Sequence, residues 1–129
     1  MINRIGLESI KFIGYRKNLD SIYKRSTIYF QPSLLESHGI SVIEAMAHGL
    51  PCVTSDIGGL PESVVNGETG FTCPPDDVDC FVSQIIKLLD DDKLRCKMGQ
   101  SGKLRAKTLF SEDAQDKKMI SLYTSLLQK

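Results

Sequence analysis

The sequence predicts an α/β fold in which a short, mainly parallel sheet is flanked by helices and followed by a helical C-terminal tail. Two observations carry this. Short runs rich in strand formers alternate with stretches of helical apolar spacing between residues 9 and 74, and from residue 76 onward the strand signals stop. A third sets the scale: 129 residues are enough for one ordinary domain with a moderate core and too few for two.

Taken in order, "SIKFIGY" (9–15) is predicted as the first strand and "NLDSIYKRS" (18–26) as a helix, through Leu19, Ile22 and Tyr23. "TIYFQPS" (27–33) is the second strand, ended by Pro32. "GISVIEAMAH" (39–48) places Ile40, Ile43, Met46 and Ala47 at helical spacing, and Gly49 with Pro51 closes it. "PCVTSD" (51–56) is the third strand. "IGGLPESVVNGETG" (57–70) reads as a Gly-Gly loop, a short helix opened by Pro61 and an Asn-Gly turn, and "FTCP" (71–74) as a fourth strand. Residues 76–91, 92–110 and 111–129 are three amphipathic helices. Crossovers of a parallel sheet put ligands outside the carboxyl ends of its strands, an edge that here includes the loop 32–39.

Sixteen basic and sixteen acidic residues cancel, so no field of one sign is available for nucleic acid or an anionic membrane. Any ligand needs a local site. No window approaches the length of a spanning helix, and the start "MINRIGLESIKF" lacks the apolar run of a leader, so a cytoplasmic location is expected. Cys52, Cys73, Cys80 and Cys96 show no C-x-x-C pair, and only two histidines accompany them. Reduced thiols are expected, with neither a zinc site nor a disulfide framework.

The informative stretch is "PSLLESHGISVIEAMAHGLP" (32–51). Gly39 opens a helix directly after a strand-ending loop, where free backbone N–H groups and the helix dipole favour anions or electron-rich sugar oxygens. Glu36 precedes that helix start, and Glu44 lies on the helix roughly 7–8 Å beyond Gly39 at about 1.5 Å per residue. Carboxylates accept hydrogen bonds from hydroxyls, so the pair suits an elongated ligand with two polyol ends and an anionic middle. By spacing alone, Glu36 is equally a surface carboxylate at a helix start and Glu44 a solvated helix residue.

Extended to residue 71, "PSLLESHGISVIEAMAHGLPCVTSDIGGLPESVVNGETGF" resembles the donor-binding motif of retaining GT-B glycosyltransferases of the glycosyltransferase group 1 family. The shared pattern is Pro32-Ser33, Glu36, seven residues, Glu44, then Ala45-Met46-Ala47, Gly49-Leu50-Pro51, and Gly58-Gly59 with Glu62. The resemblance extends to "IKFIGY" and to the closing helix, and so to nearly the whole chain. It implies a partial Rossmann-like domain, the C-terminal half of the GT-B architecture, present as a single but incomplete domain over 1–129. It further implies that Glu36, Ser37, His38, Gly39, Ile40 and Ser41 bind the donor sugar, and that Val42 and Glu44 bind the nucleotide.

The implied function is the donor-binding part of an enzyme that moves a hexosyl group, with retention, from a UDP-, GDP- or ADP-sugar to a glycan, lipid or small-molecule acceptor. No metal or other cofactor is implied. The family's cationic Arg and Lys lie upstream of "IKFIGY", and the N-terminal acceptor domain is missing. Catalysis by this chain alone is therefore not expected, and a neighbouring polypeptide or the missing domain is the implied partner. A membrane surface would enter only through that missing part. The competing reading is a non-catalytic remnant or interaction module that keeps the fold. Asp77-Val78-Asp79 fits a loose metal-binding Asp-x-Asp pattern but stands at a helix start, where Asp capping is routine. His48, at a helix end, is expected to be structural, and Glu62 to start the short helix.

With strands resembling only the third to sixth of the family's sheet, an open hydrophobic edge is expected. "IKFIGY" then either pairs directly with "TIYFQPS" or packs poorly.

Overall fold

The computed structural model describes residues 9–128. The opening residues, on which the expectation of no leader partly rests, lie outside them. The elements are α1 (Asp20–Arg25), β1 (Tyr29–Gln31), α2 (Ile40–Ala47), β2 (Cys52–Ser55), α3 (Leu60–Ser63), β3 (Gly70–Cys73), α4 (Val78–Asp90), α5 (Asp92–Arg105), a π-helical turn (Ala106–Phe110) and α6 (Glu112–Leu127). The α/β class, the parallel sheet and the flanking helices are as the sequence predicts.

The sheet has three parallel strands in the order β1-β2-β3, with Phe30 opposite Val53 and Val53 opposite Phe71. Central β2 is buried along its whole length, as a parallel strand covered on both faces must be. Its alternating side chains enter two cores. Cys52 joins Tyr23, Val42, Met46, Leu50, Leu60 and Val64 on the α2 side. Val53 joins Phe71, Cys73, Phe81, Leu88 and Met98 on the side covered by α4 and α5.

Capping explains where the helices begin and end. Gly39 precedes α2 with φ +67°, and at its far end the Gly49 amide reaches Met46 O (2.8 Å) while the Leu50 amide reaches Ala45 O (3.1 Å). This Schellman pairing uses Gly49 at φ +79°, a left-handed position that glycine adopts without a side-chain penalty. Asp77 caps α4 by accepting from the Cys80 amide (2.9 Å), Asp91 caps α5 from Leu94, and Ser111 caps α6 from Ala114. The Asp-x-Asp pattern is thus a cap. Arg105 donates to the Ser63 and Glu62 carbonyls, tying α5 to the carboxyl end of α3.

Three expectations are corrected. The predicted first strand is absent: residues 10–15 are unpaired, with Phe12 79% and Tyr15 91% exposed. A strand gains its hydrogen bonds only from a neighbour, and no partner strand lies beside this segment among the described residues. Of the two alternatives for "IKFIGY", direct pairing with "TIYFQPS" is not seen in the structure.

Cys73 and Cys80 form a disulfide rather than two free thiols. The Pro74-Pro75 turn brings the last residue of β3 to the first turn of α4, with their Cα atoms 5.9 Å apart, within bridging range. Cys52, buried, and Cys96, exposed, remain free.

In α6 the predicted amphipathic face buries no residue, leaving Met119, Ile120, Leu122, Tyr123 and Leu126 exposed. The helix follows from its cap and local spacing, but the described residues supply no surface to cover that face. No helix of the described residues is long and apolar enough to cross a membrane.

Candidate functional site

The loop after β1 and the start of α2 form the centre of the site. Pro32 ends the strand because it offers no amide for the ladder. The chain then turns so that the Glu36 carboxylate folds over the start of α2, where Oε1 accepts from the Ser37 amide (3.1 Å) and the Gly39 amide (3.3 Å). Oε2 accepts from Gln31 Nε2 at 2.6 Å. Three of the roughly four acceptor positions of a carboxylate are thereby filled, and its plane is held.

The loop is clamped from outside by the Gly-Gly step. Gly58 has φ +58°, and a Cβ there would collide with the Glu36 carbonyl; a Cβ on Gly59 would stand 2.5 Å from the Ser37 carbonyl oxygen. The two glycines thus serve close backbone approach to the loop that carries Glu36. Gly39 is enclosed in the same way, since a Cβ there would stand 2.6 Å from Leu60 Cδ2.

One and a half turns along α2, Glu44 is exposed and its Oε2 accepts from the Tyr23 phenol at 3.2 Å. Burial and then the adjacent Glu44 charge push Tyr23 up to about 12, so it stays a protonated donor across the physiological range. Tyr23 is held by the His48 ring, its centroid 4.9 Å away. His48 in turn caps α2, with Nδ1 2.9 Å from Glu44 O and Nε2 3.2 Å from Asp20 Oδ1.

Two open cavities meet at Glu44 and Ala47. One, of about 660 Å³, runs from His38 and Ile40 past Ile43 to Lys103, Lys107 and Phe110. The other, of about 500 Å³, is walled by residues 16–20 with Tyr23 and His48. Together they make a groove along the exposed face of α2, with the helix N-terminus toward one end and Glu44 near its middle.

Of the residues singled out in the sequence, Ser37, His38 and Ile40 are exposed beside the helix start, and Glu36 and Ser41 are half-buried there. Ile40 and Ser41 open α2, and their amides have no backbone acceptor among the described residues. Val42 stands apart: its side chain is fully buried in the core and its amide donates to Gly39 O (3.0 Å). Gln31 and Tyr29, within a predicted strand, and Tyr23, within a predicted helix, link the two carboxylates to the scaffold and carry no sequence signal for that role.

The geometry has counterparts among known proteins. Residues 2–105 match the family model described as glycosyl transferases group 1. The chain is 32% identical over 119 residues to N-acetyl-alpha-D-glucosaminyl L-malate synthase of Bacillus anthracis, covering 92% of this chain and 30% of that protein. Among solved structures, Anabaena HepE in complex with UDP-glucose superimposes with a TM-score of 0.87 at 25% identity, over 96% of this chain and 35% of that one. The C-terminal domain of the glycosyl transferase group 1 family protein LpcC from Francisella tularensis gives a TM-score of 0.75 at 27% identity, over 86% of this chain and 59% of that domain. The chain thus spans about a third of the length of the full-length proteins it matches here.

Proposed function

Because the chain belongs to the glycosyl transferases group 1 family, we propose that it is the nucleotide-sugar donor-binding part of a retaining glycosyltransferase, and that it forms a single, incomplete C-terminal domain. The observation that carries this reading is the start of α2, where two carboxylates of different availability flank a helix N-terminus, Glu44 lining the groove and Glu36 lying on the loop beside it. Glu44, with one bond from Tyr23, has acceptor capacity to spare for the two hydroxyls of a ribose. Glu36, with one acceptor position left, takes a single hydroxyl of the donor sugar. The amides of Ile40 and Ser41 face the diphosphate, where the dipole of α2 favours negative charge. The base then lies toward Tyr23 and residues 16–20, at the other end of the groove.

In transfer with retention at the anomeric carbon, the bond from that carbon to the nucleoside diphosphate breaks as the bond to the acceptor oxygen forms on the same face. The departing diphosphate needs its charge stabilised. Helix amides supply part of that stabilisation, and no metal is needed for it in this reading. The remaining cations and the acceptor site come from sequence outside this chain, in cis or from a partner. On its own the chain binds donor without turning it over. The full enzyme passes a hexosyl group to a glycan, lipid or small-molecule acceptor, in the cytoplasm.

Titration calorimetry with UDP and UDP-glucose tests this. Weak binding of both is expected, and Glu44→Ala should weaken both by at least about tenfold, the scale of losing hydrogen bonds to a charged acceptor. No heat at millimolar nucleotide would favour the non-catalytic module instead.

A further inference from the structure

The amide of Gln31 touches more of the site than any other side chain that the donor-binding reading leaves unassigned. Its Nε2 donates to Glu36 Oε2 (2.6 Å) and to Ser33 Oγ (3.2 Å). Its Oε1 accepts from Ser41 Oγ (3.2 Å), and the Tyr29 phenol, which has one proton to donate, stands within hydrogen-bond distance of both Gln31 Oε1 (2.8 Å) and Ser41 Oγ (2.9 Å). One planar group at the end of β1 therefore bonds the loop carboxylate on one side and the first turn of α2 on the other.

We propose that Gln31 is a positioning residue for the donor sugar: it fixes the orientation of the Glu36 carboxylate relative to α2 and so determines how that carboxylate meets a sugar hydroxyl. The inference rests on the donor-binding reading. The physical argument is one of preorganisation. A glutamate in a loop has three side-chain torsions to freeze, and an unanchored carboxylate would spend binding energy on that ordering when ligand arrives. Two backbone amides hold only Oε1, about which the group can still swing. The short, charge-assisted bond from Gln31 to Oε2 removes that freedom. Because Gln31 is anchored by Tyr29 and Ser41, the carboxylate is referenced to the sheet and to α2 rather than to its own loop.

Glu36 faces the sugar and Glu44 the nucleoside, so the effect of Gln31 should show in the difference between a sugar nucleotide and the bare nucleotide. Two variants of the full chain separate this from simple loss of structure. Gln31→Leu removes every bond of the amide. Gln31→Glu keeps an acceptor for Tyr29 and Ser41 but replaces the donor to Glu36 with a like charge. Calorimetry with UDP-glucose and with UDP should show both variants losing about tenfold for the sugar nucleotide while UDP stays within about twofold, as expected when one charge-assisted contact is misaligned. Amide hydrogen exchange gives a readout that needs no ligand: in both variants Ser37 and Gly39 should exchange faster while Val53 and Leu88 are unchanged.

Equal losses for UDP-glucose and UDP would overturn the proposal, as would a Gln31→Glu variant that behaves like wild type or unchanged exchange at Ser37 and Gly39. Absence of all nucleotide binding in the wild-type chain would instead defeat the donor-binding reading. The exchange measurement would then decide by itself whether Gln31 holds the Glu36 carboxylate.

Discussion

The phenol of Tyr23 and the carboxylate of Glu44, 21 positions apart in the chain, are joined by a 3.2 Å hydrogen bond between α1 and α2. It leaves one oxygen of an exposed carboxylate uncommitted while restricting where that oxygen points. If Glu44 holds a ribose, Tyr23→Phe should weaken UDP binding by about fivefold, the cost of one hydrogen bond to a charged group whose partner is left free to move. Glu44→Gln, which keeps the shape and loses the charge, should weaken it further. Calorimetry on the two variants measures both effects.

The same pair makes a pH prediction. Burial and the Glu44 charge raise Tyr23 from its ordinary 10 to about 12 in the folded state. A group whose folded value lies above its unfolded value contributes stability that is complete below the unfolded value and lost as pH rises through the folded one. Urea titrations should therefore show stability falling between about pH 10 and pH 12. Burial also raises Tyr29, which adds to the fall. The difference between wild type and Tyr23→Phe isolates the Tyr23 part: it should be constant below about pH 9 and shrink above about pH 10.

How much of this site was readable in advance follows from the range of each relationship. Glu36, Gly39 and Glu44 lie on one loop and one helix, and helical spacing places them without any tertiary knowledge. The bond from Tyr23 to Glu44 and the network of Gln31, Tyr29 and Ser41 depend on how β1, α1 and α2 pack, and no periodicity encodes that. Val42 shows the opposite case, since the family pattern implies a ligand role for it while the helical period turns its side chain into the core. The disulfide has no sequence signature, because two cysteines seven positions apart, Cys73 and Cys80, resemble no framework until Pro74 and Pro75 fold the chain back.

Gly58 offers a test of the loop clamp. Its φ of +58° and the Glu36 carbonyl beside it leave no room for a side chain. Gly58→Ala combines left-handed strain with a backbone collision, so it should cost at least about 2 kcal/mol of folding stability. Gly67→Ala is the control: φ there is +82° but nothing lies within 4 Å of the added carbon. It should pay only the conformational penalty, about 1 kcal/mol. Similar losses at the two positions in chemical denaturation would show that the clamp contributes nothing.

The four cysteines should separate cleanly on alkylation of the folded, oxidised chain followed by mass spectrometry. Cys96 is exposed and should react; Cys73 and Cys80 are paired and should not. Cys52 is also protected, since burial pushes its thiol up to about 12 and leaves almost no thiolate at neutral pH. One adduct is expected before reduction. After reduction under native conditions Cys73 and Cys80 become free thiols, and loss of so short a loop constraint should lower stability by about 2–3 kcal/mol. Two or more adducts on the oxidised, folded protein would contradict the pairing.

The unpaired segment 10–15 makes the last prediction. It carries Ile10, Phe12, Ile13 and Tyr15, a composition that favours strand, yet it is exposed and unpaired although the β1 edge of the sheet is open among the described residues. Composition supplies side chains that fit a pleated surface, but a strand also needs a ladder, and this segment forms none with β1. Amides of residues 10–14 should therefore exchange as fast as unstructured peptide, while those of β2, paired on both sides, should approach the protection of global unfolding. Protection of residues 10–14 equal to that of β1 would mean that the segment pairs with Tyr29–Gln31 after all. It would also mean that the sheet in solution has four strands.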